Sequence, residues 1–255
     1  MKKLIAANWK MNKNSAEAAY FMEELKQLIS NDIEADVVIC PPFTLLHEIR
    51  ALANKTKIKL GAQNMFCEDA GAFTGEISPL MLRDSGCEYV ILGHSERREL
   101  FGEQDPLVNK KVVSALKHAL IPILCIGENM KQREQGKTKE ILKSQLANCL
   151  KDISKEYITR INIAYEPTWA ISKGNPNHKA ATAQDAEEGH KFIREVIATL
   201  YDKSISKKMR IIYGGSMKPE NTEELLSMPD IDGGLVGNAS LNAKSFAEII
   251  KFAHH

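Results

Sequence analysis

The chain has 255 residues, 44% of them apolar and 26% charged, and its 34 Lys and Arg against 33 Asp and Glu leave a formal net charge of +1. Basic and acidic residues are interspersed, which gives no support to a nucleic-acid or anionic-membrane partner, and no apolar stretch approaches membrane-spanning length. Five cysteines (Cys40, Cys67, Cys87, Cys125 and Cys149) form no CxxC pair and no cysteine–histidine spacing suited to zinc, so they read as buried thiols of a reduced cytoplasmic protein without a metal site.

Short apolar runs recur from one end of the chain to the other. The first, KLIAANWK at 3–10, is interrupted by Asn8, Trp9 and Lys10 before a signal-peptide core could form. Asn14 with Glu17 then resembles a capping box at a helix start. DVVICPP at 36–42 and IKLGAQN at 58–64 follow; Ser78-Pro79 places a capping side chain before a proline at the first helical position. YVILGH at 89–94 is followed by a second such pair, Asp105-Pro106, and IPILCIG occupies 121–127. RINIAYEP at 160–167 precedes a helical stretch that Thr182 could cap; RIIYGG at 210–215 leads to a helix with Pro219 at its first position. GGLVG at 233–237 completes the set, with Asn242 placed to cap the last helix.

These runs are continuous rather than alternating, which suits strands of a parallel sheet covered on its outer face. A strand–helix alternation repeated eight times in about this length predicts one domain, 1–255, folded as a closed α/β (β/α)8 barrel of parallel strands with outer helices. An open doubly wound sheet is the alternative, although no GxGxxG follows the first strand.

In such a barrel the chemistry sits at the carboxyl ends of the strands, and that is where the unusual residues fall. The first run ends in Asn8, Trp9 and Lys10, the fourth in His94 followed by SERR, and the sixth in Glu166. Burying a glutamate at a strand end is costly unless something there uses the charge. Pro167 stops the strand, and the segment after it reads as a loop, so Glu166 is a candidate general base under a lid. His94 precedes Ser95, a plausible helix N-cap, where the positive helix end would favour a neutral imidazole. Glu96 is either a helix-start carboxylate or a partner for Lys10 across the mouth. Glycines after the seventh and eighth runs let backbone N–H groups approach a ligand, which favours a phosphorylated small molecule.

The motifs NWKMN at 8–12, CPPFTLL at 40–46, GAQN with GAFTGEIS, LGHSERRELFGE at 92–103, PILCIGE at 122–128, AYEPTWAI at 164–171, YGGSMKPEN at 213–221 and LVGNASL at 235–241 closely resemble, in order, those of triosephosphate isomerases. The resemblance implies a TIM barrel that interconverts dihydroxyacetone phosphate and D-glyceraldehyde 3-phosphate in glycolysis and gluconeogenesis, with no cofactor and no metal. It implies Glu166 as the base that moves a proton through an enediolate, His94 as a neutral acid, and Lys10 and Asn8 as donors beside the carbonyl, supported by Glu96. Phosphate would lie against N–H groups of Ser172, Ser216, Gly237 and Asn238. The loop at 67–78, with Phe73 and Thr74 at its tip, would dock a second copy to form a homodimer, with neither membrane nor nucleic acid as partner.

The chain departs from the family pattern where AISKGNPNHKAA replaces AIGTGKTA, bringing in Ser172, Lys173 and extra residues near 175–180, and where Asn238 replaces a second glycine. Two competing readings are a Schiff-base enzyme built on Lys10 and a barrel that binds sugar phosphate without turning it over.

Overall fold

The computed structural model describes residues 1–30, 33–170 and 181–254. Eight strands, β1 (Leu4–Asn8), β2 (Asp36–Cys40), β3 (Ile58–Ala62), β4 (Tyr89–Leu92), β5 (Ile121–Ile126), β6 (Asn162–Tyr165), β7 (Ile211–Tyr213) and β8 (Gly233–Val236), close into a barrel in sequence order. Every pairing is parallel, and β8 returns to β1 with Leu4 opposite Gly233 and Ala7 opposite Val236. The open doubly wound alternative is thereby ruled out.

Strand periodicity divides the apolar residues between two cores. Leu4, Ala6, Val38, Cys40, Tyr89, Ile91, Ile123, Cys125, Ala164, Ile212 and Leu235 pack together as the barrel interior. Their neighbours in the strands, such as Ile5, Ala7, Val37, Ile39 and Ile163, join the larger core beneath the helices. Burial on both faces is why the strands read as continuous apolar runs. The helix Ser15–Leu28 shows the matching helical pattern, burying Ala18, Phe21, Met22 and Leu25 against that outer core.

Most helix starts follow the local rules. Asn14–Glu17 and Thr182–Asp185 are capping boxes, Ser78 and Asn242 cap through their side chains, and Pro219 opens its helix. Asp105 does not cap. The helix Asp105–Lys117 begins one residue earlier than the Asp-Pro pair suggests, with Gln104 at the cap position, and the Asp105 carboxylate bonds Arg98 and Asn148 instead.

The floor of the barrel is tied by charge. Asp36, at the start of β2, lies 2.8 Å from Lys2, 3.3 Å from Lys59 and 2.6 Å from Arg210, and Arg210 also donates to Asn162 at 2.7 Å. Residues from five places on the rim thus converge at the end opposite the catalytic candidates. Among the described residues no helix is long and apolar enough to cross a membrane.

Candidate active site

Asn8 closes β1, His94 lies just past β4, Glu166 directly follows β6, Gly214 follows β7 and Gly237 follows β8, so the strand order delivers all of them to one mouth. Lys10 is positioned by a left-handed backbone, φ 53°, a costly conformation for a side-chain-bearing residue. It is held by hydrogen bonds on both sides. The Lys10 N–H donates to Asn8 Oδ1 at 3.1 Å, and Gln63 Nε2 donates to the Lys10 carbonyl at 2.8 Å and to that of Cys40 at 3.0 Å. Lys10 Nζ then reaches Glu96 Oε1 at 2.6 Å, so Glu96 spans the mouth.

At the end of β4 the structure corrects one local expectation. The residue capping the helix Ser95–Leu100 is His94, not Ser95: His94 Nδ1 accepts the Glu96 N–H at 3.3 Å. Ser95 instead turns its own N–H to Glu166 Oε2 at 2.9 Å, and its hydroxyl has no hydrogen-bond partner among the described residues. Glu166 Oε1 lies 2.9 Å from His94 Nε2. The base and acid candidates, 72 residues apart in the chain, are therefore in contact, with Glu166 only 1% exposed and His94 7%.

Burial works against the charge on Glu166, but the His94 imidazole, the Ser95 N–H and the Lys10 ammonium outweigh it and hold the carboxyl below its ordinary value. Burial likewise disfavours an imidazolium at His94, while the Glu166 and Glu96 carboxylates push the other way and raise it. That rise depends on Glu166 lying against the ring. Acceptance of the Glu96 N–H requires an unprotonated Nδ1 and leaves Nε2 to carry the proton. Withdrawal of Glu166 from the ring removes the main influence favouring the imidazolium and keeps the backbone contact that favours neutral imidazole.

Glycines make room for Glu166, backbone and side chain. A Cβ on Gly127 would sit 1.8 Å from the Glu166 carbonyl oxygen, and one on Gly214 would sit 2.7 Å from Glu166 Cγ. The first glycine after β7 thus accommodates the Glu166 side chain, beyond any part in ligand approach. Two backbone bonds fix the strand exit: Glu166 N–H to the Ile126 carbonyl and Gly214 N–H to the Tyr165 carbonyl, each 2.7 Å. Cys125, in the barrel interior, is pushed well up by burial and by the Glu166 charge, so it stays a neutral thiol.

Glu128 is a residue that sequence reading left without a role. It is fully buried and accepts from Trp169 Nε1 at 2.8 Å and from the Tyr165 hydroxyl, while its carbonyl accepts the Thr168 N–H at 3.0 Å. Arg133 stacks 3.8 Å over the Trp169 ring and pairs with Asp185 at 2.9 Å. The segment leaving Glu166 is thereby anchored as far as Trp169. The signal was present in the chain, since IPILCIG is followed directly by a glutamate.

The phosphate candidates stand differently. Gly237 lies beside Lys10, since a Cβ there would be 3.6 Å from Lys10 Cε, and the exposed Asn238 starts a turn in which the buried Ser240 hydroxyl donates to the Gly237 carbonyl at 2.7 Å. The Ser216 N–H donates to the Ala170 carbonyl at 3.3 Å. Ser172, Lys173 and the extra residues near 175–180 lie outside the described residues. Among the described residues no group of three or more His, Cys, Asp or Glu could hold a metal ion.

A family model described as triosephosphate isomerase matches residues 3–253. The chain belongs to the triosephosphate isomerase family. It is 50% identical to the triosephosphate isomerase of Dictyoglomus turgidum over 250 residues, 98% of this chain and 99% of that one. It is 52% identical to the triosephosphate isomerase of Thermoanaerobacter pseudethanolicus over 249 residues, 98% of each. With that of Chloroherpeton thalassium it shares 49% over 253 residues, 99% of each. Membership of the triosephosphate isomerase family accounts for the ordered motifs at the strand ends, because those are the positions that face the mouth of this barrel.

Proposed function

We propose that this chain interconverts dihydroxyacetone phosphate and D-glyceraldehyde 3-phosphate, in glycolysis and gluconeogenesis, as a single barrel domain with Glu166 as the proton-transferring base. The observation that most supports this reading is the buried contact of Glu166 with His94, beside the Lys10–Glu96 pair, at one barrel mouth. A carbon acid next to a carbonyl is weakly acidic, so its removal needs a base poised over carbon and fixed donors at the oxygen where charge develops.

Glu166 leaves Ser95 and His94, takes the proton from the carbon beside the carbonyl, and its basicity rises as those stabilising contacts are lost. His94 Nε2–H donates to the carbonyl oxygen and moves protons between the two oxygens of the enediolate. Lys10 sets positive charge beside that oxygen and Asn8 adds a donor, while Glu96 holds Lys10 in place. Glu166 then returns the proton to the neighbouring carbon, so no atom is gained or lost. Phosphate is held by N–H groups of Ser172, Ser216, Gly237 and Asn238; binding at Ser216 releases its bond to Ala170. The segment from Pro167 onward closes over the substrate, keeping water from the enediolate. The 67–78 loop docks into a second copy, giving a homodimer that works in the cytoplasm on a small phosphorylated triose.

Turnover of Glu166→Gln tests the central assignment. General-base removal is expected to lower kcat by about 100- to 10,000-fold with an unchanged far-UV circular dichroism spectrum; near-normal kcat would refute it. The Schiff-base alternative is disfavoured by Lys10 being occupied by Glu96, and borohydride with a ketose phosphate is expected to leave no adduct on Lys10.

A further inference from the structure

Arg98 lies in the helix Ser95–Leu100, three residues beyond Ser95, and its guanidinium reaches four partners. Nε donates to the Gly93 carbonyl at 2.7 Å and Nη2 to the Cys125 carbonyl at 3.3 Å. Nη1 meets Asp105 Oδ1 at 2.6 Å, and Nη2 lies 3.5 Å from Cys149 Sγ. The other side of this assembly is equally tied. The Cys149 thiol donates to Asp105 Oδ1 at 3.4 Å, and Asn148 donates to Asp105 Oδ2 at 3.3 Å. Burial pushes the Cys149 thiol up to about 12, so it serves as a hydrogen-bond donor and not as a thiolate.

The two carbonyls that Arg98 grips are not arbitrary. The Gly93 carbonyl belongs to the peptide group whose nitrogen is that of His94. The Cys125 carbonyl belongs to the peptide group that leads into Ile126, whose own carbonyl accepts the Glu166 N–H at 2.7 Å. One planar fork therefore spans the exits of β4 and β5, one carrying the acid candidate and the other registering the base candidate. Gly93 takes φ +67°, and a Cβ there would lie 2.9 Å from Val108 and 3.0 Å from Arg98 Nη2, so the turn and the guanidinium are packed against each other.

We infer that Arg98, locked by Asp105 and Cys149, is a positioning residue for the proton-transfer pair: it sets the separation of His94 and Glu166 by clamping the β4 and β5 exits. The inference rests on the assignment of Glu166 and His94 given above. Its contacts at these exits are with the Gly93 and Cys125 backbone carbonyls, and it acts on the two candidates through the backbone. A lysine cannot reproduce the fork, because its single ammonium cannot hold both carbonyls and the carboxylate in one plane. Misplacement of reacting groups by about 1 Å can cost on the order of 100-fold in rate.

The test compares the parent, Arg98→Lys, Asp105→Asn and Glu166→Gln by kcat, KM and the downfield imidazole N–H proton resonance of His94. Arg98→Lys is expected to lower kcat about 10- to 100-fold with KM within about threefold, to shift the His94 resonance, and to keep the parent circular dichroism spectrum. Asp105→Asn, which keeps an acceptor but loses the charge that orients the guanidinium, is expected to lower kcat by a smaller factor in the same direction. It decides the matter should Arg98→Lys fail to fold. A folded Arg98→Lys or Asp105→Asn with kcat within about twofold of the parent and an unmoved His94 resonance would overturn the inference. So would a loss of kcat that tracks only the fraction of unfolded protein. Should Glu166→Gln alone retain turnover, the reading of the site fails instead, and the two failures remain separate.

Discussion

Glu166 illustrates how a single residue is tuned by its surroundings. In this structure both carboxylate oxygens face nitrogen, one from Ser95 and one from His94, so the resting carboxylate is a weakened base. In the proposed mechanism its strength on engaging substrate comes from leaving those contacts, which requires free rotation in a tight space. Gly214 supplies that space, and Gly214→Ala would place a methyl 2.7 Å from Glu166 Cγ. Gly214→Ala is expected to lower kcat on the order of 100-fold with a modest change in melting temperature, read from steady-state kinetics and a thermal scan. Glu166, His94 and Lys10 were legible in the sequence because each breaks an apolar run with a charged or titratable group at a strand end. Gly127 and Gly214 were not legible as neighbours of the base, since their requirement arises from contact with a segment distant in sequence. Ser95 was misread as the cap because sequence shows a hydroxyl in a favourable place, and not that the preceding imidazole already accepts the same turn's N–H.

At the scale of elements, the capping rules carried most of the helix starts and failed where tertiary contact offered a better partner. Asp105 is the instructive case. A buried guanidinium gives its carboxylate a stronger interaction than a helix N–H would, so the helix starts at Asp105, with Gln104 at the cap position and no side-chain cap. Where no such competitor exists the cap operates alone. Asn14→Ala and Thr182→Ala are each expected to cost about 1 kcal/mol, measured by urea unfolding. Thr182 caps the helix Ala183–Leu200, and its capping box is completed by Asp185, which also holds Arg133. The apolar runs in sequence extend one or two residues past the carboxyl end of each observed strand, because they continue into the turns that deliver the site.

For the whole molecule, the barrel divides labour between its ends: polar candidates with contacts to one another at the mouth, and an ion-paired floor. Asp36 is the floor's centre. Burial would raise its carboxyl, but hydrogen bonds from Lys2 and Arg210 and the charge of Lys59 hold it at about 2 against an ordinary 3.8. A depressed carboxyl stabilises the fold above its unfolded value and loses that stabilisation as pH falls toward 2. Asp36→Asn is therefore expected to cost about 1–2 kcal/mol near pH 7 after allowance for solvent screening, and the difference should vanish at low pH. His190 acts in the same direction. Burial depresses its imidazole to about 4 against an ordinary 6.5, so the folded state loses stability as pH falls between those values, by about 2–3 kcal/mol in all. Unfolding free energy measured from pH 8 to pH 4 is expected to decline most below 6.5, and to decline less in His190→Asn. The proposed dimer is checked at the same scale by light scattering on dilution, where a mass of twice 28.5 kDa is expected.

Proton NMR of the protein with dihydroxyacetone phosphate in deuterated buffer tests the proposed proton transfer through an enediolate. The predicted result is rapid appearance of glyceraldehyde 3-phosphate carrying deuterium at the exchanged carbon, abolished to within about 1% of parent rate by Glu166→Gln. Substrate binding without product and without deuterium uptake would contradict the account, leaving a barrel that holds triose phosphate and performs no chemistry on it.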